Sequence, residues 1–180
     1  MPPPVATTHA SVQYFTRGRG KSATLASPMQ RPGRNEFLVL GTVNPAGMAN
    51  DYDGVYLTKN DVSSMVKGKK LDGLPVQLEH TKDPIVGRVL HSWESPEGKL
   101  DVLLRLDPTF PGLLASSFVR EGLVSELSLG YNTTMKRDDS SGRIVATSKV
   151  PVEVTLTKSG ARPNTHIHMH TIPERKRQRR

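Results

Sequence analysis

The sequence contains no cysteine, a single tryptophan and few aromatic residues of any kind, 5% of the total. The first absence excludes disulfides, thiolate zinc sites and cysteine nucleophiles, and it fits a reducing compartment. The scarcity of aromatics argues against a surface on which nucleic-acid bases stack. Long apolar runs are also missing. The longest are a few residues, far short of the ~20 that a transmembrane helix needs, so no membrane partner is expected. The opening Met1-Pro2-Pro3-Pro4 lacks the basic-then-apolar pattern of a secretory signal. Acidic residues are absent from residues 1–35.

That last absence exposes an uneven charge distribution. Residues 1–35 carry five basic groups (Arg17, Arg19, Lys21, Arg31, Arg34), and residues 171–180 carry five more against one acid, Glu174. Of 25 basic and 17 acidic residues in all, 15 and 16 remain for residues 36–170, so the net charge of +8 belongs to the ends. Basic ends attract polyanions. The run Arg175-Lys176-Arg177-Gln178-Arg179-Arg180 reads equally as a nuclear-import or nucleic-acid patch and as a solvated tail that aids solubility. Pro, Thr, Ser and Gly dominate the first 34 residues without periodicity. The expected organisation is a disordered basic arm over 1–35, one folded domain over 36–170 and a basic tail over 171–180. An apolar fraction of 35% supplies one core if the ends stay outside it.

Within the domain, Glu36 to Val43 is a short apolar run read as a strand, broken by Asn44-Pro45-Ala46-Gly47 and a loop through Asp51, Asp53 and Gly54. Thr58 to Val66 predicts a helix with Thr58 as cap, Asp61 at its positive end, a stripe of Val62, Met65 and Val66, and Gly68 as terminator. Leu74 to Glu79 alternates as a half-buried strand. Ile85 to Trp93 and Lys99 to Leu106 read as a hairpin about the turn Ser95-Pro96-Glu97-Gly98. Pro111 to Arg120 predicts a second helix, on which Leu113, Leu114, Ser117 and Phe118 share one face. Val124 to Thr134 and Ile144 to Thr157 are strands about a polar turn, Asp138 to Gly142. No internal repeat is present. Six or seven strands and two short helices predict a mainly β fold, a small closed antiparallel barrel with the helices outside.

Ser128 lies in Ser125-Glu126-Leu127-Ser128-Leu129-Gly130-Tyr131, where alternation puts it opposite Leu127 and Leu129, and Gly130 permits a close backbone approach. An isolated serine in a strand is ordinarily structural. It becomes a nucleophile only with an imidazole to take its proton and an acceptor to orient that imidazole. Of the six histidines, His9 lies in the arm and His91 within a strand, whereas His80 ends a strand where a side chain can face a cleft. Glu153, in Val152-Glu153-Val154-Thr155-Leu156, points opposite Val152 and Val154 and is a candidate acceptor; the plainer reading is a solvent-facing acid.

Three stretches carry a family resemblance. Leu74-Pro75-Val76-Gln77-Leu78-Glu79-His80, followed by Val86-Gly87-Arg88-Val89, resembles the block that holds the catalytic histidine of the herpesvirus assemblin and phage prohead protease family. Leu127-Ser128-Leu129-Gly130 resembles that family's nucleophile block. Val152-Glu153-Val154-Thr155-Leu156 and then Gly160-Ala161-Arg162-Pro163 resemble the block with the third catalytic residue and the oxyanion loop. The three come in family order over residues 36–165. The resemblance implies a serine endopeptidase without cofactor, with catalytic Ser128, His80 and Glu153 and an oxyanion loop at Gly160, Ala161 and Arg162. It departs from the family at two points. Animal-herpesvirus assemblins usually carry a second histidine where Glu153 stands, though phage-type members tend to use an acid. Only Arg162 remains where two adjacent arginines are common. His166 is the rival third member. The implied substrates are a capsid scaffold protein and the enzyme's own precursor. The implied place is the procapsid interior, in the host nucleus for a herpesvirus and otherwise in the host cytoplasm. A homodimer is also implied, although the late helix that mediates it in herpesvirus members has no counterpart after residue 165.

Two rival readings remain. His166-Ile167-His168-Met169-His170 as a strand puts three imidazoles on one face, successive ones about 6.6 Å apart, which suggests a metal-dependent hydrolase. The basic ends suggest instead a scaffold or nucleic-acid-binding barrel that has lost its chemistry, whose binding is steeply salt-dependent.

Overall fold

A capping box starts the first helix. In the computed structural model, which describes residues 36–45, 57–137, 139–140 and 144–171, Asp61 N donates to Thr58 Oγ1 (3.1 Å) and Thr58 N to Asp61 Oδ2 (2.8 Å). The helix, α1, runs Lys59–Lys67, buries Val62 and Met65 and stops at Gly68. Lys149 Nζ meets Asp61 Oδ2 at 2.9 Å and ties α1 to the sheet. Burial pushes the Asp61 carboxyl up, but its bonds to Lys149 and Thr58 outweigh this and hold it below 3.8.

Seven strands accompany this helix and a second one: β1 (Phe37–Asn44), β2 (Pro75–Leu78), β3 (Gly87–Glu94), β4 (Leu100–Leu106), β5 (Glu126–Arg137), β6 (Ile144–Thr157) and β7 (His166–His170), with α2 (Phe110–Arg120) between β4 and β5 in the chain. The hairpin of β3 and β4 closes at the expected turn, Ser95 N to Lys99 O, 2.9 Å. The basic arm over 1–35, the loop through Asp51 to Gly54 and the tail beyond Thr171 lie outside the described residues.

The strands form one sheet in the order β5-β6-β2-β3-β4-β1-β7. Two features correct the expected closed antiparallel barrel. First, β2 runs parallel to β6, Val76 beside Val154 and Leu78 beside Leu156, so the sheet is mixed. Second, the sheet is an open half-barrel. Its edges approach through Ile167 N to Ser125 O (2.9 Å), just ahead of β5, but no ladder joins β5 to β7. The curl is real: a Cβ at Gly41 of β1 would fall 2.6 Å from Leu127 Cδ1 of β5. The core fills the concave side with Val39, Val76, Leu104, Leu127, Val154 and Leu156.

Helix α2 packs by the side opposite the one its large residues suggest. Gly112, Ala115, Ser116 and Val119 are buried, while Leu113 and Leu114 are exposed. The helix backbone sits so close to Val86 O, 2.9 Å from where a Gly112 Cβ would stand, that only small side chains fit between. Gly87 is comparably tight, because a Cβ there would meet Arg105 O and lie 2.9 Å from Leu106 Cα, both backbone atoms of the partner strand. Gly87→Ala is therefore expected to cost roughly 1–3 kcal/mol by overpacking, read from the midpoint of urea unfolding.

Candidate active site

The parallel pairing of β2 and β6 decides where His80 goes. Beyond Leu78 the chain turns through Glu79 and His80, both left-handed at φ 50° and 57°, and Thr81 N returns to Leu78 O at 3.0 Å. Two consecutive non-glycine residues in this region cost of order 1–3 kcal/mol each and need a surrounding structure that enforces them. Glu79 supplies it. Its amide donates to Leu156 O (2.9 Å), and its carboxylate accepts from Thr157 Oγ1 (3.0 Å) and Lys158 N (3.1 Å). The turn is thereby bolted to the end of β6.

From this turn His80 reaches Glu153, Nδ1 to Oε1 at 3.4 Å; the imidazole side chain is 52% exposed and the glutamate 12%. Glu153 is not the solvent-facing acid of the plainer reading. It pairs with Gly130 across the β5–β6 ladder, next to a bulge at which Val152 has no partner. A Cβ at Gly130 would collide with Glu153 Oε1 and lie 2.8 Å from its Cδ and Cγ. Gly130 thus makes room for a carboxylate from the neighbouring strand, rather than for an external partner.

Ser128 pairs with Thr155, two residues from Glu153, so alternation puts Ser128, Thr155 and Glu153 on one face of the sheet. The serine is 2% exposed. Among the described residues no hydrogen bond joins Ser128 Oγ to His80. Nδ1 of the imidazole faces the acid, which leaves Nε2 as its outward nitrogen. An imidazole held in this way can accept a proton at Nε2 while a carboxylate steadies the charge at Nδ1.

The loop after β6 is braced rather than open. Gly160 N donates to Glu126 Oε2 (2.6 Å), and Thr165 Oγ1 donates to Arg162 O (3.1 Å). Arg162 is 1% exposed; its Nη2 donates to Tyr131 Oη (2.7 Å), and its guanidinium lies 5.3 Å from that ring's centre. Of the three residues expected to form an oxyanion loop, Gly160 therefore already has its amide engaged, and Arg162 serves as an internal strut between the loop and β5.

The histidine run behaves otherwise than expected. β7 carries an irregularity in its pairing with β1, between the Gly41–Ile167 and Leu40–Met169 pairs, which leaves His168 as the extra residue. His166 and His168 stay on the outside, edge to face at 4.3 Å, while His170 turns inward and stacks on Phe37 at 5.5 Å. The three imidazoles do not share a face, and no group of three metal-binding side chains exists among the described residues. His168 Nε2 instead meets Thr42 Oγ1 (2.8 Å), whose hydroxyl donates to Asp101 Oδ1 (2.6 Å). Burial raises the Asp101 carboxyl, but the nearby His168 imidazole and the hydrogen bond from Thr42 outweigh it and hold the group below 3.8. His166 contacts Asn164 O (3.1 Å) and His168, so the acid beside His80 is Glu153 and not a second imidazole.

Burial, with Arg120 nearby, lowers the His170 pKa below 6.5, and neither ring nitrogen has a hydrogen-bond partner among the described residues. A histidine held neutral inside stabilises the fold fully above its unfolded value of 6.5 and progressively less as pH falls toward the folded value. Stability is expected to fall between about pH 7 and pH 5, and His170→Phe, which keeps the stack on Phe37, should flatten that decline in urea titrations at the two pH values.

Sequence reasoning missed Thr155, Glu79 and Glu126. Each is an ordinary strand or turn residue by type, and only its partner across the fold distinguishes it. No protein-family model matches the chain, and no curated protein matches its sequence significantly. Its fold is similar to that of solved herpesvirus proteases. The protease of Kaposi's sarcoma herpesvirus, in complex with a hexapeptide phosphonate inhibitor, aligns over 74% of this chain and 64% of its own at 18% identity and a TM-score of 0.54. Varicella-zoster virus protease aligns over 74% and 63% at 19% identity and a TM-score of 0.47. The chain thus spans just under two thirds of the length of these proteins. At 18% identity the likeness to the Kaposi's sarcoma herpesvirus protease shows the fold alone: mainly β, an assemblin-like half-barrel with two helices.

Proposed function

We propose that this chain is a serine endopeptidase of the capsid-maturation type, with Ser128 as nucleophile, His80 as its base and Glu153 as the acid that orients the base. The observation that carries this reading is the 3.4 Å contact of His80 Nδ1 with Glu153 Oε1, made on the sheet face that also holds Ser128. The likeness of the fold to a herpesvirus protease supports it.

In the proposed reaction Ser128 Oγ attacks the scissile carbonyl carbon as its proton passes to His80 Nε2. The tetrahedral intermediate collapses, the C–N bond breaks, and the leaving amine takes that proton. Water then attacks the acyl-serine by the same route, which regenerates the hydroxyl. Free enzymes often hold the nucleophile and base loosely and tighten them on substrate. Because Gly160 N is committed to Glu126, the oxyanion donor is assigned to the Ala161 amide, with Arg162 holding the loop. The proposed substrates are a capsid scaffold protein and the chain's own precursor, inside the procapsid.

The test is covalent labelling. A hexapeptide phosphonate, the class of inhibitor bound by the Kaposi's sarcoma herpesvirus protease, should form a Ser128 Oγ–P bond as its leaving group departs. Mass spectrometry of the digested adduct should place the label on Ser128. A label elsewhere, or none at saturating reagent, removes the serine-peptidase reading.

A further inference from the structure

We infer that Thr155 is a positioning residue that holds the Glu153 carboxylate in line with His80; the inference rests on the serine-peptidase reading above. Thr155 is fully buried, stands opposite Ser128 in the β5–β6 register, and donates its hydroxyl to Glu153 Oε2. Glu153 Oε1, the other oxygen, faces His80 Nδ1. One oxygen therefore accepts a hydrogen bond within the sheet, while the other is left to face the imidazole.

The arrangement matters because the terminal torsion of a glutamate is broad and provides no rotamer well of its own. His80 cannot supply the constraint, since it is half exposed and sits on a turn. Across the ladder Gly130 gives the carboxylate room, since a Cβ there would collide with it, but no hydrogen bond among the described residues. Thr155 is thus the group that stops the carboxylate from swinging away from the imidazole. Its methyl group adds packing within the sheet, and its hydroxyl adds the aim. Thr155 touches neither the scissile bond nor Ser128 Oγ by any hydrogen bond among the described residues, so its effect passes through Glu153 and His80.

The experiment compares Thr155→Val, which keeps the shape and removes the hydroxyl, with Thr155→Ser, which keeps the hydroxyl. The readout is the rate of Ser128 modification by the hexapeptide phosphonate, resolved into a maximal rate and a half-saturating concentration. Thr155→Val is expected to lower the maximal rate roughly ten- to a hundredfold, the size of a lost hydrogen bond to a charged group, and to move half-saturation by less than about twofold. Thr155→Ser should recover most of the rate. In a Glu153→Gln background Thr155→Val should add little further loss, because the two residues act as one unit. Three outcomes overturn the inference: a wild-type rate in Thr155→Val, a Thr155→Ser variant as slow as Thr155→Val, or losses that multiply fully in the double variant. If the wild-type protein is not labelled at Ser128 at all, the peptidase reading falls and the inference with it. If the wild type is labelled and Thr155→Val reacts as fast, only the inference falls.

Discussion

Ser128→Ala is expected to remove peptide hydrolysis and phosphonate labelling while leaving the fold intact. The loss in turnover should approach the roughly 10⁶-fold seen when a triad nucleophile is deleted, because the other hydroxyl on this face, that of Thr155, is committed to Glu153. Stability should change by less than about 1 kcal/mol. The serine is 2% exposed and makes no hydrogen bond among the described residues, so its removal leaves no partner stranded, and the side-chain volume lost is one oxygen. This contrast is what makes the variant decisive: turnover falls by orders of magnitude, while the midpoint of urea unfolding stays in place. Hydrolysis that persists in Ser128→Ala would show that the chemistry resides elsewhere.

Glu153→Gln should lower turnover by about 10²–10⁴-fold, the range contributed by acid–base groups and by the orienting acid of a triad. The reason lies in the two oxygens. Thr155 donates to one and His80 approaches the other. A glutamine offers one oxygen and one amide nitrogen, so it satisfies only one of the two donors. If its oxygen serves Thr155, its amide faces His80 Nδ1 and favours the tautomer that carries its hydrogen on Nε2, which is useless as a base toward serine. His166→Ala is the matched control. That imidazole lies on β7 against Asn164 O and His168, and its loss should leave turnover near the wild-type value. The reverse ranking of the two variants would reassign the third member.

The position of the Glu153 carboxylate has a structural basis. The carboxylate occupies space that exists because Gly130 has no side chain, beside a bulge that frees Val152 from pairing. The Glu153, Gly130 and Thr155 positions therefore form one unit. Gly130→Ala should displace the acid and behave like a partial Glu153 variant.

Much of this protein is decided locally and can be read from the chain alone. The capping box at Thr58 and Asp61, the hairpin about Ser95–Gly98, the extent of β6 and the alternation that sets Ser128 apart from Leu127 and Leu129 all depend on residues within a few positions of one another. Their dihedral preferences and hydrophobic period act before any tertiary contact forms. The three sequence blocks around His80, Ser128 and Glu153 were legible only through their resemblance to a known protease family, not through local preference. Only the tertiary structure decided that Glu153 faces His80, that β2 lies parallel to β6, that the sheet stays open, that α2 buries its small residues, and that an irregularity in β7 turns His170 away from His166 and His168. These outcomes depend on register and approach distance between segments far apart in sequence. A shift of one residue in pairing sends a side chain to the other face, and a glycine opposite an acid determines whether that acid points at solvent or at a histidine.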